Sequence, residues 1–214
     1  MRAQPLRLAV LVSGNGSNLQ TLIDAIDSQK IDAHIVLVLS SDAGAPALYR
    51  AARRGIPAIA MEYKPDLKSS PSGDTRAARR TARAAYDAAI AEAVLAASPD
   101  YVLLLGWMRI LGEEFIRCFP GKIVNLHPAL PGIFPGTHAI ERAWDARARG
   151  EIEYTGIMVH YVPDTRVDAG PVILSRRVDF IPGESLERFE ARMHENEHEL
   201  IVAAVAQLTA EKGD

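Results

Sequence analysis

Asn125 and His127 stand two residues apart in Ile123-Val124-Asn125-Leu126-His127-Pro128-Ala129-Leu130-Pro131-Gly132. The apolar start of this stretch reads as a buried strand, and on a strand residues i and i+2 point to one face. Pro128, Pro131 and Gly132 then force a loop. An amide donor and a titratable imidazole therefore sit together where a strand ends. Their chemistry is hydrogen-bond donation and proton transfer, and ligands of open α/β sheets bind outside the carboxyl ends of strands. The plainer alternative is a polar strand end with a satisfied structural histidine.

Other stretches bear on the choice. Ser13-Gly14-Asn15-Gly16-Ser17-Asn18 follows the apolar run Leu6–Val12 and precedes Leu19, Leu22, Ile23 and Ile26, which keep helical spacing. Strand, glycine turn and helix aim backbone N–H groups at an anion. The turn is neither GxGxxG nor a Walker A motif, so a single phosphate monoester fits it better than a dinucleotide; a plain tight turn is the alternative. Gly106 and Gly112 bracket an apolar loop, Trp107 to Leu111, which either lines a pocket for a flat ring or tucks into the core. Asp164 and Asp168 are turn formers, unless their hairpin folds back and sets one of them against His127. Glu197 falls within the apolar stripe of the last helix, between Met193 and Leu200. A carboxylate there is costly unless paired, so it either binds an amine or hydroxyl or snorkels out at the stripe's edge.

The elements that must position these residues follow from apolar runs and helical spacing. Strands are expected at Leu6–Val12, Ala33–Ser40, Ile56–Met61, Asp100–Leu105, Ile123–His127, Thr155–Val162 and Val172–Val178. Helices are expected after the glycine turn and at Ala45–Arg54, Thr75–Ala97, Glu113–Cys118 and Ala139–Arg149, with a last one capped by Ser185. Intervening helices imply a mostly parallel seven-stranded sheet covered on both faces. Too few residues join the last two strands for a helix, so that pair is antiparallel. Lys64 to Asp74 has no core pattern and reads as an exposed, mobile loop. Arg76, Arg79, Arg80 and Arg83 form a basic stripe, either a solvated face or a contact for a partner with several carboxylates.

Composition bounds the rest. With 214 residues, 48% hydrophobic and 24% charged, the chain is an ordinary globular protein of one large or two small domains. A net charge of −3 argues against a nucleic-acid surface as the main business. Cys118 is the one cysteine, which rules out an intramolecular disulfide and a CxxC metal knuckle. The N-terminus is too short and polar for a signal peptide, and no apolar run approaches a bilayer span. The expectation is a cytoplasmic protein with no membrane or nucleic-acid partner.

Ser13-Gly14-Asn15-Gly16-Ser17-Asn18-Leu19-Gln20, Gly106-Trp107-Met108-Arg109-Ile110-Leu111, Asn125-Leu126-His127-Pro128, Asp168-Ala169-Gly170-Pro171 and Glu197-His198 occur in this order and at compatible spacing. Together, over essentially the whole chain, they resemble the phosphoribosylglycinamide formyltransferases of the folate-dependent formyltransferase family. The resemblance implies one Rossmann-like α/β domain over residues 1–214, with a phosphate- and nucleotide-binding half (1–105) and a folate-binding and catalytic half (106–214), and an antiparallel C-terminal strand on a mostly parallel sheet. It implies transfer of the formyl group of 10-formyltetrahydrofolate to the amine of glycinamide ribonucleotide, without a metal, by a monomer or homodimer.

By the same resemblance Asn125, His127 and Asp168 are the catalytic trio. Gly16, Ser17 and Asn18 hold the ribose 5′-phosphate, and Glu197 meets the ribose or glycinamide part, with His194, Glu195 and Asn196 on the same wall. Met108, Arg109, Ile110 and Leu111 hold the pterin, Asp164, Thr165, Arg166, Val167 and Asp168 form the folate loop, and Arg83 lies near the anionic folate tail. Trp107 and Ala169 depart from the Phe and Gly common in such enzymes. The rivals are a formyltetrahydrofolate hydrolase, a tRNA formyltransferase and a non-catalytic nucleotide sensor.

Overall fold

The computed structural model describes residues 4–64 and 75–213. The expected loop Lys64 to Asp74 lies, but for Lys64, outside the described residues. Seven strands form one sheet in the order β3-β2-β1-β4-β5-β6-β7. They are β1 (Leu6–Val12), β2 (Ala33–Ser40), β3 (Ala58–Ala60), β4 (Tyr101–Leu104), β5 (Ile123–His127), β6 (Tyr154–Tyr161) and β7 (Val172–Asp179). The first five are parallel. The strand that reverses is β6, antiparallel to both β5 and β7, as the short β6–β7 connection requires.

The helices are α1 (Ser17–Asp27), α2 (Pro46–Ala52), α3 (Thr75–Ala96), α4 (Glu113–Ile116), α5 (Ala139–Ala148) and α6 (Leu186–Gly213). Pleating splits β1 between two cores. Leu8, Val10 and Val12 pack with Leu19 and Leu22 of α1 and Phe189, Met193 and Ile201 of α6. Ala9 and Leu11 pack on the other face with Ile90 and Val94 of α3 and Phe115 of α4.

Several elements are shorter than the sequence suggests, three of them for a clear local reason. α2 starts at Pro46, since the residue before a proline prefers extended backbone, and Ala45 has φ −63°, ψ 122°. β3 begins only after Pro57, which has no N–H for the ladder. α4 tightens after Ile116 into i→i+3 bonds from Cys118 to Phe115 and from Phe119 to Ile116.

The strand order reverses direction at β1, which has β2 on one side and β4 on the other. This is the switch point at which an open α/β sheet leaves a crevice beyond its carboxyl edge. The glycine turn leaves β1 there, the apolar loop leaves β4, and Asn125 and His127 end β5.

Candidate active site

A cavity of about 800 Å³ opens at this edge, the size of a site for a drug-sized ligand. Its wall includes the glycine turn, the loop 104–111, Asn125, His127, His160, the segment 164–168, His194 and Glu197.

Asp168 is the hub. Its Oδ1 accepts from Asn125 Nδ2 at 2.9 Å and its Oδ2 from the Gly136 backbone N–H at 2.8 Å. Oδ2 also lies 3.3 Å from His127 Nδ1. Asp168 holds the left-handed backbone conformation, φ 50°, strain of the kind that collects at functional sites. Gly170 makes the fold-back possible, because a Cβ there would fall 1.8 Å from the Tyr161 carbonyl oxygen. Burial pushes the Asp168 carboxyl up, but the polar groups gathered around it outweigh this and hold the group below its ordinary value.

His127, only 4% exposed, donates from Nε2 to the Phe134 carbonyl oxygen at 3.1 Å. That leaves Nδ1, facing Asp168, as the atom that gains or loses the second proton. Burial lowers the pKa of the ring and outweighs the opposing pull of Asp168.

His160 joins this group, although the sequence reading did not single it out. It faces Asn125 across the β5–β6 ladder. Its Nδ1 is 2.8 Å from the Tyr161 carbonyl oxygen and its Nε2 is 3.2 Å from Asn125 Nδ2. A carbonyl accepts, so the proton sits on Nδ1, and Nε2 accepts the second amide hydrogen of Asn125. Both Asn125 hydrogens are thus aimed by buried acceptors.

The glycine turn presents a second kind of site. Gly16, φ 76°, occupies the N-cap position of α1, and no side chain caps the helix. Its N-terminal N–H groups are therefore available to an anion. A Cβ at Gly16 would meet Ala47 Cβ at 2.6 Å. Ser17 and Asn18 line the cavity, and Asn18 Oδ1 is buried with no partner among the described residues. Arg50, also not anticipated, braces the turn through Asn15, with Nε to the carbonyl oxygen at 2.9 Å and Nη2 to Oδ1 at 2.6 Å.

On α6, Glu197 is 6% exposed and its Oε2 lies 2.6 Å from His194 Nδ1. That bond raises the His194 pKa. Both residues line the cavity, whereas Glu195 and Asn196 lie off its wall. Helical rotation brings i and i+3 to one face and turns the two between away. Glu195 is exposed, and Asn196 bonds Arg192 O and Arg176.

The loop after β4 does both things open to it. Trp107 and Leu111 tuck into the core, while Met108 and Ile110 are exposed beside the cavity. The Met108 N–H donates to Ser13 Oγ at 2.9 Å, tying this loop to the glycine turn. Arg109 also lines the cavity and lies over the Tyr63 and Tyr86 rings at 5.4 Å and 5.9 Å. Asp164, Thr165, Arg166 and Val167 form the facing wall. Asp164 and Arg166 pair at 2.7 Å, and hydrogen bonds from Arg166 hold the Asp164 carboxyl below its ordinary value. Arg83 is not on the wall; it pairs with Asp87 at 3.2 Å. Among the described residues, no group of three or more His, Cys, Asp or Glu is placed to hold a metal ion, and no helix is long and apolar enough to cross a membrane.

The family model for formyl transferases matches residues 6–205. A phosphoribosylglycinamide formyltransferase of Saccharomyces cerevisiae is 44% identical over 92% of this chain and 94% of its own length. That of Dictyostelium discoideum is 38% identical over 94% and 97%. The crystal structure of glycinamide ribonucleotide transformylase 1 from Symbiobacterium toebii superposes with a TM-score of 0.81, at 31% identity, over 97% of this chain and 89% of that one. The cavity with its aimed Asn125, His127 and Asp168 thus lies in a chain that belongs to the formyl transferase family, with phosphoribosylglycinamide formyltransferases as its full-length relatives.

Proposed function

We propose that the cavity joins two small molecules, glycinamide ribonucleotide and 10-formyltetrahydrofolate. The chain formylates the amine of the nucleotide, a step of purine biosynthesis. The observation that carries this reading is the meeting of Asn125 and His127 on Asp168, whose carboxylate lies within 3.3 Å of a polar atom of each, in the cavity that the glycine turn also lines.

The residues divide the work by their chemistry. The first turn of α1, with Gly16, Ser17 and Asn18, takes the phosphate. His194 and Glu197 share the wall facing the sugar and the amine, where Glu197 accepts hydrogen bonds. Met108 and Ile110 give apolar contact to a flat ring, with backbone groups of 108–111 at its edge and the 164–168 segment across from it. Arg83, kept in place by Asp87, meets the anionic tail of the donor.

Attack of the amine on the formyl carbon builds negative charge on the formyl oxygen. Asn125 Nδ2, with the hydrogen it otherwise gives Asp168 Oδ1, and His127 Nε2 donate to it, and preorganised donors of this kind are each worth about 10²–10³ in rate. The Phe134 carbonyl oxygen, now on His127 Nε2, is an acceptor of the same type, so the formyl oxygen replaces it. One proton must pass from the amine to the departing N10. Asp168 accepts it, directly or through water, and passes it to His127 Nδ1, and the ring gives up its Nε2 proton to N10. No covalent enzyme intermediate is required.

The enzyme works in the cytoplasm as a single domain, monomeric or homodimeric. The test is the absorbance change on mixing protein with 10-formyltetrahydrofolate, with and without glycinamide ribonucleotide. Change only with the nucleotide is expected. Change without it means hydrolysis, and no change in either case means a binding module.

A further inference from the structure

Asp87 of α3 lies outside the cavity wall and has no part in the chemistry above, yet it is a carboxylate only 1% exposed. Its Oδ2 accepts from the Gly112 backbone N–H at 3.0 Å and from Arg83 Nε at 3.2 Å. Its Oδ1 is buried with no partner among the described residues. A charge in the apolar layer beside Tyr86 and Ile90 is expensive, and one with an orphan oxygen more so. Burial raises its pKa against the pull of Arg83. Stability alone does not explain such a group, because an apolar side chain would serve the core better.

What it holds is the far end of the ring-binding loop. Ser13 Oγ takes the Met108 N–H and Asp87 takes the Gly112 N–H. Between these two anchors Met108 and Ile110 face outward. The fit at Gly112 is close: a Cβ there would fall 2.3 Å from Asp87 Oδ2. The carboxylate and the glycine are matched to each other, and the same oxygen restrains Arg83.

We propose that Asp87 is a positioning residue for the formyl donor, its carboxylate fixing the Met108–Gly112 loop in the shape that receives the ring and holding Arg83 beside it. This rests on the reading of that loop as the donor's ring site. Asp87 touches no reacting atom, so its removal acts on donor binding and not on the transfer step.

The test compares full-length wild type with Asp87→Asn, Asp87→Ala and Gly112→Ala in steady-state turnover, with circular dichroism as the check on folding. Asp87→Asn keeps the volume and one acceptor. It is expected to raise KM for 10-formyltetrahydrofolate about threefold to tenfold, the size of one weakened hydrogen bond to a charged group. kcat and KM for glycinamide ribonucleotide stay within about twofold. Asp87→Ala and Gly112→Ala give larger shifts in the same constant. The double variant is no worse than Asp87→Ala, because removing the carboxylate makes room for the new methyl group. A lower melting temperature with all three kinetic constants unchanged would make Asp87 a structural residue only and overturn the proposal. A loss confined to kcat would overturn it equally. Absence of nucleotide-dependent turnover in the wild type is a separate result and strikes the functional reading itself.

Discussion

Asp168 Oδ2 lies 3.3 Å from His127 Nδ1, and both side chains are at least nine-tenths buried. The contact joins the end of β5 to the β6–β7 loop across the sheet edge. Asp168→Asn keeps the shape and an acceptor for the Gly136 N–H but removes the charge that stabilises a proton on His127. The variant is expected to fold, to bind glycinamide ribonucleotide as before, and to lose about 10²–10⁴ in turnover, the usual worth of positioned proton transfer. Calorimetric titration of the nucleotide beside steady-state turnover checks both halves. Near-native turnover would remove Asp168 from the mechanism.

Asn125 donates to Asp168 and to His160, so His160 aims the amide. Asn125→Ala is expected to cost about 10²–10³ in kcat, as for loss of one oxyanion donor. His160→Leu leaves one amide hydrogen without its acceptor. It should lower stability by about 1–3 kcal/mol and reduce kcat by less than Asn125→Ala does. Denaturant melts and kcat for the two variants decide it: if His160→Leu is the slower enzyme, His160 acts on the substrate directly.

The strands that carry the site were legible because parallel strands buried on both faces read as unbroken apolar runs, and β1, β2 and β5 have the expected bounds. The Asn125/His127 pair was legible from a period of two. His160 was not, because its place opposite Asn125 depends on the register of two strands, which neither strand specifies alone. Asp87 was hidden for a different reason. It follows a run of arginines on α3, and only packing shows that Arg76, Arg79 and Arg80 face out while Asp87 faces in. Taking residues 194–197 as one wall ignored helical rotation, which keeps His194 and Glu197 and turns Glu195 and Asn196 away.

The glycine turn makes a prediction about backbone. Gly16→Ala meets Ala47 Cβ at 2.6 Å and must hold φ 76°, where an L-residue costs about 1–2 kcal/mol. The turn should shift, and nucleotide affinity should fall more than donor affinity. Equilibrium titration with each substrate checks this. Equal losses for both would mean that the turn serves the whole cavity and not a phosphate.

His194 and His127 start from the same ordinary value of 6.5 and are moved in opposite directions, so pH separates their roles. The hydrogen bond to Glu197 raises His194, so its cation is present below 6.5 and is lost as pH climbs through the higher folded value. Burial lowers His127, so the folded state resists its proton. Between the depressed value and 6.5 the unfolded chain binds more protons, and stability falls as pH falls through that window. Nucleotide affinity should therefore weaken on the alkaline side of 6.5, and melting temperature should drop on the acid side. His194→Gln should abolish the first effect and leave the second. His127→Asn should shrink the acid-side drop, with His198, also lowered by burial, keeping part of it, and leave the affinity profile in place. Titration of nucleotide binding and thermal melts from pH 5 to pH 9 on the three proteins measure both, and an affinity profile unchanged by His194→Gln would take that residue away from the nucleotide.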